Sequence, residues 1–157
     1  MKITLLVVGK TDKRYMQDAV DEYAKRLKHY VPFELEVIPD LKNSKNMTSE
    51  IQKINEGYLI LNRDFGGKEL HLFDEGGRMF TSRGFAAFLE KKMLSGIKEL
   101  IFVIGGPYGF SKEVCEKANS KISLSKMTFS HQMARILCIE QIYRAFTILK
   151  GEPYHHD

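Results

Sequence analysis

The residues of this chain best suited to chemistry lie in three separate segments. The first is a glycine-rich turn, residues 105–109 (GGPYG), which directly follows the apolar run 100–104. Two adjacent glycines after a buried strand let a backbone approach a ligand closely, although an ordinary tight turn explains the same residues. The spacing is not that of a dinucleotide fingerprint, and no phosphate-loop lysine follows. The turn therefore favours a ligand site lined by backbone.

The other two segments could complete the same site. Residues 74–77 (DEGG) follow the strand-like run 70–73 (LHLF). Taken alone, they predict a surface turn. If both runs are parallel strands, the turns that follow them lie at one edge of the sheet and form one cleft. Residues 124–129 (LSKMTF) combine backbone groups with apolar side chains, which suits a flat heteroaromatic ring. An ordinary buried strand is the alternative for that segment.

The C-terminal part of the chain is a further region whose side chains are suited to chemistry. Residues 131–150 predict a helix that is apolar over nearly its whole girth, and such a helix is buried in its own core or against another subunit. Glu140 and Arg144 are spaced i,i+4, so they form a surface ion pair, or the arginine points into a cleft. The tail 152–157 (EPYHHD) adds a tyrosine and two imidazoles.

Several common catalytic patterns are absent from the sequence. There is no GxSxG, no HExxH and no cysteine–histidine ligand cluster. His155 and His156 are adjacent, so they are poorly placed to share one ion, and no metal site is expected. His29 and His71 are isolated and are expected to be structural or solvated, whereas His131 could cap the helix that it begins.

Length and composition predict one globular domain over residues 1–157. Hydrophobic residues make up 43% of the chain and charged residues 28%, which argues against disorder. Cys115 and Cys138 are expected to be reduced thiols of a cytoplasmic protein, because they fit neither a CxxC motif nor a disulfide scaffold. The apolar stretch near the N-terminus is too short for a secretion signal or a membrane span.

The net charge of +4 permits a polyanionic partner but does not require one. Lys10, Lys13 and Arg14 are candidates for phosphate contacts, with an ordinary solvated surface as the alternative.

Strands alternate with helices along the chain, which predicts an α/β fold with a mostly parallel sheet. Asp12 is a candidate cap for the first helix. The segment 122–129 is expected to be extended or irregular. The predicted strands are 2–9, 33–38, 69–73 and 100–104, and the predicted helices are 12–30, 48–62, 81–95, 111–118 and 131–150.

Three runs of sequence resemble a known family. Residues 104–109 (IGGPYG), 124–146 (LSKMTFSHQMARILCIEQIYRAF) and 152–156 (EPYHH) are similar to the ribosomal RNA large-subunit methyltransferase H family, of the SPOUT class. The similarity extends to the opening MKITLLVVGK and to the length. The resemblance implies a C-terminal deep trefoil knot and a homodimer. It also implies that S-adenosylmethionine methylates N3 of a pseudouridine in 23S (large-subunit) rRNA, on assembled ribosomes.

The resemblance also implies site residues. The catalytic candidates are Arg144, Tyr154 and His155. Two departures are present: Phe73 stands where some members have leucine, and His156 where some have arginine. The implied cofactor contacts are Phe73, Gly105, Gly106, Leu124, Ser125, Lys126, Met127, Thr128 and Phe129.

Two other kinds of protein fit the coarse α/β pattern. One is a noncatalytic ribosome-binding module, and the other is a flavodoxin-like nucleotide or flavin binder. Neither explains why the chain ends in a tyrosine and two histidines.

Overall fold

A five-stranded sheet with every strand parallel organises the protein. The computed structural model describes residues 1–157. The sheet order is β2-β1-β4-β3-β5, so the predicted α/β class with a parallel sheet is confirmed. The elements in chain order are β1 (Lys2–Val8), α1 (Arg14–Leu27), β2 (Phe33–Ile38), a 3₁₀ turn (Ser44–Asn46), α2 (Ser49–Leu61), β3 (Lys68–Met79), α3 (Ser82–Leu94), β4 (Glu99–Ile104), α4 (Lys112–Lys117), β5 (Ser120–Ser123) and α5 (His131–Leu149).

Helices cover both faces of the sheet, which explains why β1 and β4 are apolar on both sides. Alternate residues of β4 point to opposite layers: Phe102 packs toward α1, α3 and α5, and Val103 packs toward α2 and α4. The larger layer centres on α5, which lies against both α1 and α3. None of the helices is long and apolar enough to cross a membrane.

Two predicted helix caps are wrong. The residue before α1 is Lys13, which makes no side-chain cap bond, and the backbone N–H of Asp12 instead donates to the Gln132 side chain at 3.1 Å. Ser130, not His131, caps α5, because its hydroxyl accepts from the Met133 N–H at 3.2 Å. Serine is the better cap since its short oxygen side chain can lie over the free N–H groups of the first turn.

The predicted turn at residues 74–77 is also wrong, because β3 continues through this segment to Met79. Phe73 and Arg78 both pair with Ile122 of β5, so the residues between them bulge out of the sheet. Gly77 permits this close approach: a Cβ there would lie 2.6 Å from the Ile122 backbone nitrogen. The bulge turns Asp74 and Glu75 toward the carboxyl edge of the sheet.

The last strand begins earlier than the sequence indicated. β5 occupies Ser120–Ser123, and an irregular loop follows it as far as Ser130. The trefoil knot and the single-domain organisation stay predictions.

Candidate functional site

A cavity of about 580 Å³ opens at the carboxyl ends of β3 and β4. This volume lies in the range of small-molecule sites, and the position is the one where parallel α/β sheets bind ligands. Three stretches of chain form most of its wall: the β3 bulge, the glycine turn after β4, and the loop after β5. The lining residues are Phe73, Asp74, Glu75, Ile104, Gly105, Gly106, Pro107, Tyr108, Gly109, Phe110, Leu124, Ser125, Met127, Thr128, Phe129, Ser130, His131 and Ala134.

The structure brings eight of the nine expected cofactor residues to this cavity. Lys126 is the exception, since it is exposed and does not line the wall. The residues in the wall are Phe73, Gly105, Gly106, Leu124, Ser125, Met127, Thr128 and Phe129.

Hydrogen bonds hold the loop after β5 in its irregular shape. The Ser125 hydroxyl accepts from the Met127 N–H at 3.0 Å, and the Ser123 hydroxyl donates to the Ser125 carbonyl at 2.8 Å. The Thr128 hydroxyl donates to the Glu75 carboxylate at 2.5 Å, which joins this loop to the β3 bulge. This hydrogen bond therefore links two walls of the cavity.

The first turns of α5 are fixed to the end of β1 by a buried arginine. Arg135 is 1% exposed, and its guanidinium donates to the carbonyls of Val8 at 2.6 Å and Gly9 at 2.8 Å. Burial lowers the pKa of Arg135, and the nearby carboxylates of Asp12 and Asp40 oppose that shift. Its Nε has no partner. This arginine holds the helix against the sheet beside the cavity.

The three catalytic candidates form a second cluster near the other end of α5. Arg144 donates to Glu140 Oε1 through Nε at 3.0 Å and Nη2 at 2.5 Å, so the predicted i,i+4 ion pair is confirmed. The Arg144 guanidinium also lies 4.7 Å from the Tyr154 ring centroid, and the Tyr154 hydroxyl donates to Glu140 at 3.1 Å. The hydrogen bond with Glu140 raises the pKa of Arg144.

His155 is held between a donor and an acceptor. Arg144 Nη1 lies 3.2 Å from His155 Nδ1, and a guanidinium can only donate, so Nδ1 is the accepting nitrogen. Nε2 therefore carries the hydrogen and donates to the Asp157 carboxylate at 3.0 Å. Asp157 also accepts from Arg83, at the start of α3. We name these linked side chains the tail cluster: Glu140, Arg144, Tyr154, His155, Asp157 and Arg83.

The cavity and the tail cluster are separate within one chain. None of Arg144, Tyr154 and His155 lines the cavity. Ala134 is the last residue of α5 in the cavity wall, and Arg144 lies ten residues further on. At 1.5 Å per residue that is about 15 Å along the helix axis.

Sequence reasoning missed two buried residues beside the cavity: Arg135, described above, and Glu56. Glu56, on α2, is 4% exposed and lies next to Gly106 of the glycine turn. The available signal was spacing: Glu56 lies one helical turn before Ile60, a core residue, so a carboxylate occupies a core-facing position.

Comparison with known proteins assigns the chain to a family and gives it close relatives. The family described as "Predicted SPOUT methyltransferase" matches residues 1–155. Proteins named Ribosomal RNA large subunit methyltransferase H from Parabacteroides distasonis and Porphyromonas gingivalis are 59% and 56% identical over 157 residues, covering 100% of both chains in each case. The protein of that name from Flavobacterium johnsoniae is 55% identical over 156 residues, 99% of each chain.

The fold is similar to that of a solved methylase structure. A probable methylase family protein from Haemophilus influenzae superimposes with a TM-score of 0.52 at 12% identity, covering 99% of this chain and 70% of that one. At this identity the similarity concerns the fold alone.

Proposed function

The chain belongs to the SPOUT methyltransferase family, and we propose that it methylates N3 of a pseudouridine in 23S rRNA, with S-adenosylmethionine as methyl donor. The observation that carries the proposal is the convergence of three separate stretches of chain on one cavity at the carboxyl edge of the sheet. Relatives at 52–59% identity over the whole chain bear the matching name, which supports the choice of large-subunit rRNA. A ribosomal substrate is consistent with a cytoplasmic protein.

The cavity wall suits this methyl donor. Leu124 and Phe129 offer apolar surface to the faces of a purine ring, and the backbone of the surrounding loops offers donors and acceptors to its edge. Asp74 and Glu75 place carboxylates in the cavity wall, where they favour the binding of a positively charged ligand. S-adenosylmethionine, when bound, supplies an electrophilic methyl carbon on a positively charged sulfur.

Arg144 and His155 supply what the acceptor base needs. Methylation at N3 would form an N–C bond as the methyl–sulfur bond of the donor breaks and S-adenosylhomocysteine leaves. N3 loses its proton in the process, and negative charge develops on the base until the new bond is complete. Arg144 keeps its positive charge at any working pH and can stabilise that negative charge. His155 Nδ1, once it no longer accepts from Arg144, has a lone pair that can take the proton directly or through water.

A homodimer would bring the cavity and the tail cluster together. Met133, Ile136, Glu140 and Arg144 follow one another at helical spacing, so they form one strip along α5. The strip begins with an exposed methionine beside the cavity and ends in the tail cluster. A twofold axis perpendicular to α5 would pair the cavity end of one helix with the tail end of the other. Each site would then take its methyl donor from one subunit and Arg144 from the partner.

Five cations near the cavity are suited to rRNA phosphates. They follow the neighbouring strands β1 and β2, and we name them the basic rim: Lys10, Lys13, Arg14, Lys42 and Lys45. All five are exposed, and none pairs with a carboxylate. Unpaired cations on one edge of a domain attract a polyanion by releasing its counterions.

The first part of the rim is held firmly. Gln132, in the first turn of α5, donates to the Lys10 carbonyl at 3.0 Å, and Arg135 donates to the Thr11 hydroxyl at 3.1 Å. Asp12 and Asp40 lie near Arg135, so these acidic residues compensate a buried cation. The lysines of the rim are left available to an outside partner.

Three measurements test the proposed function. Calorimetry with S-adenosylhomocysteine is expected to show a single site per chain. Mass spectrometry of rRNA from cells with and without this gene is expected to show one methyl group lost from one pseudouridine. In reconstitution, assembled ribosomes are expected to be methylated and free rRNA is not. A noncatalytic ribosome-binding module would bind particles but no S-adenosylhomocysteine, and a flavin binder would be isolated as a yellow protein.

A further inference from the structure

A carboxylate is buried beneath the glycine turn and takes no part in the chemistry described above. Glu56 is 4% exposed on the core-facing side of α2. No lysine or arginine pairs with it. Its one side-chain hydrogen bond comes from Gln52, whose amide nitrogen donates to Glu56 Oε1 at 3.0 Å. Burying a carboxylate without a cation is unfavourable, so the buried position of Glu56 indicates a structural or functional role.

The glycine turn lies directly on this carboxylate. A Cβ on Gly106 would lie 2.6 Å from Glu56 Oε2 and 2.7 Å from Oε1, and no other atoms are as near. The φ of Gly106 is not in the left-handed region, so the constraint here is space: a Cβ would have to displace the Glu56 carboxylate. Burial raises the pKa of this carboxyl, and the nearby Gln52 amide and Gly106 N–H oppose that shift.

The next residue of α2 contacts the far end of the same loop. A Cβ on Gly57 would lie 2.6 Å from the Ser111 hydroxyl oxygen, and Ser111, itself 2% exposed, caps α4. One dipeptide of α2 therefore supports the loop 106–111 at both ends. Between these supports, residues 106–110 form one wall of the cavity.

We propose that Glu56 is a positioning residue, which holds the Gly105–Gly106 backbone in the shape that binds the methyl donor. The inference rests on the proposed function, since it concerns the same cavity. Glu56 does not line the cavity, and the groups nearest its carboxylate are the neutral amides of Gln52 and Gly106. His131 and Asp40 act on it only at longer range. Its role is therefore to support and space the glycine turn, not to act as a charge on the donor.

Two substitutions at position 56 separate these roles. Glu56→Gln keeps the shape and one acceptor oxygen, and is expected to bind S-adenosylhomocysteine within about threefold of the native protein. Glu56→Ala removes the carboxylate that lies against the Gly106 backbone, and is expected to bind about tenfold more weakly or worse. The loss should appear in KM for S-adenosylmethionine, while kcat at saturating donor stays nearly unchanged. Glu50→Ala, an exposed carboxylate on the same helix, is the matched control and should bind normally.

A double-mutant cycle tests the contact itself. Gly106→Ala alone should weaken binding, because its methyl group meets the Glu56 carboxylate. In the Glu56→Ala background that carboxylate is gone, so adding Gly106→Ala should cost little more. Additive losses in the cycle would overturn the proposal.

Two further results would overturn it. One is a Glu56→Ala variant with a lowered Tm but native affinity for S-adenosylhomocysteine, which would make Glu56 merely structural. The other is a Glu56→Gln variant that loses affinity for S-adenosylmethionine alone, which would show a direct role of its charge. Failure of the native protein to bind either ligand would instead overturn the proposed function, so the two failures are distinguishable.

Discussion

The two ends of α5 are built in different ways. At the cavity end, three separate stretches of chain form the wall, and the basic rim beside it has no carboxylate partners. At the tail end, side chains bond one another closely: Arg144 pairs with Glu140, and Arg83 pairs with Asp157. One end presents free binding groups, whereas the other has its charges already satisfied.

This difference indicates how the two ends would work. A preformed cavity of this kind binds a cofactor by shape and apolar contact. In the tail cluster, Glu140 offsets the charge of Arg144, and Arg144 occupies the accepting nitrogen of His155. The tail cluster therefore describes a resting state, and an arriving nucleobase must compete for the Arg144 and His155 bonds before transfer.

The largest effect is expected from Arg144→Ala. If the tail end supplies charge stabilisation and the cavity end supplies binding, turnover at saturating donor should fall by about 10²- to 10³-fold. Affinity for S-adenosylhomocysteine, measured by calorimetry, should remain nearly native. Arg26→Ala, which removes another paired arginine near the same end, is the control and should keep its activity. Full turnover in Arg144→Ala would remove this residue from the mechanism.

Deleting residues 154–157 is the second test. The tail adds no strand or helix, so thermal melting should show a folded protein, and light scattering should show the same oligomeric state as the full chain. Methylation should be lost, because Tyr154 and His155 leave with the tail. His156→Ala keeps every member of the tail cluster and should preserve most of the activity. Unchanged turnover in the longer deletion would reduce the tail to a packing element.

The sequence was more informative about the cavity than about the tail cluster. Strand ends followed by glycines predicted a cleft at one sheet edge, because the topology of parallel sheets fixes where such turns lie. The β3 bulge was missed, since the residues DEGG also fit an ordinary turn. Glu56 was missed because its contact with Gly106 joins segments fifty residues apart. The roles of Tyr154 and His155 came only from family resemblance, since tail packing leaves no periodic signal.

The third test concerns the free charges at the cavity end. Lys42→Gln/Lys45→Gln should weaken binding to large ribosomal subunits by about tenfold at physiological salt. It should also lower the slope of log K against log salt by about 2, because roughly one counterion is released per phosphate contact. Lys91→Gln/Lys98→Gln removes two exposed charges near the amino edge of the sheet and is the matched control. Equal weakening in both pairs would attribute the effect to net charge and not to the basic rim.

The smallest expected effect is a loss of stability at alkaline pH. It originates in a hydrogen bond at the tail end. The Tyr30 hydroxyl donates to Glu152 at 2.5 Å, and this bond raises the pKa of Tyr30 to about 12. Because the folded pKa exceeds the unfolded value, the bond stabilises the protein fully below about pH 10, and that contribution is lost as the pH rises toward 12. Tyr30→Phe should therefore lower the Tm by about 2 °C at pH 8, and the difference from the native protein should vanish near pH 12.

Tyr108→Phe, at the cavity end, removes a hydroxyl that bonds no other residue, so its Tm should follow the native value throughout. A Tyr30→Phe difference that persists at pH 12 would show that ring packing, rather than the hydroxyl, is what Tyr30 contributes to the tail end.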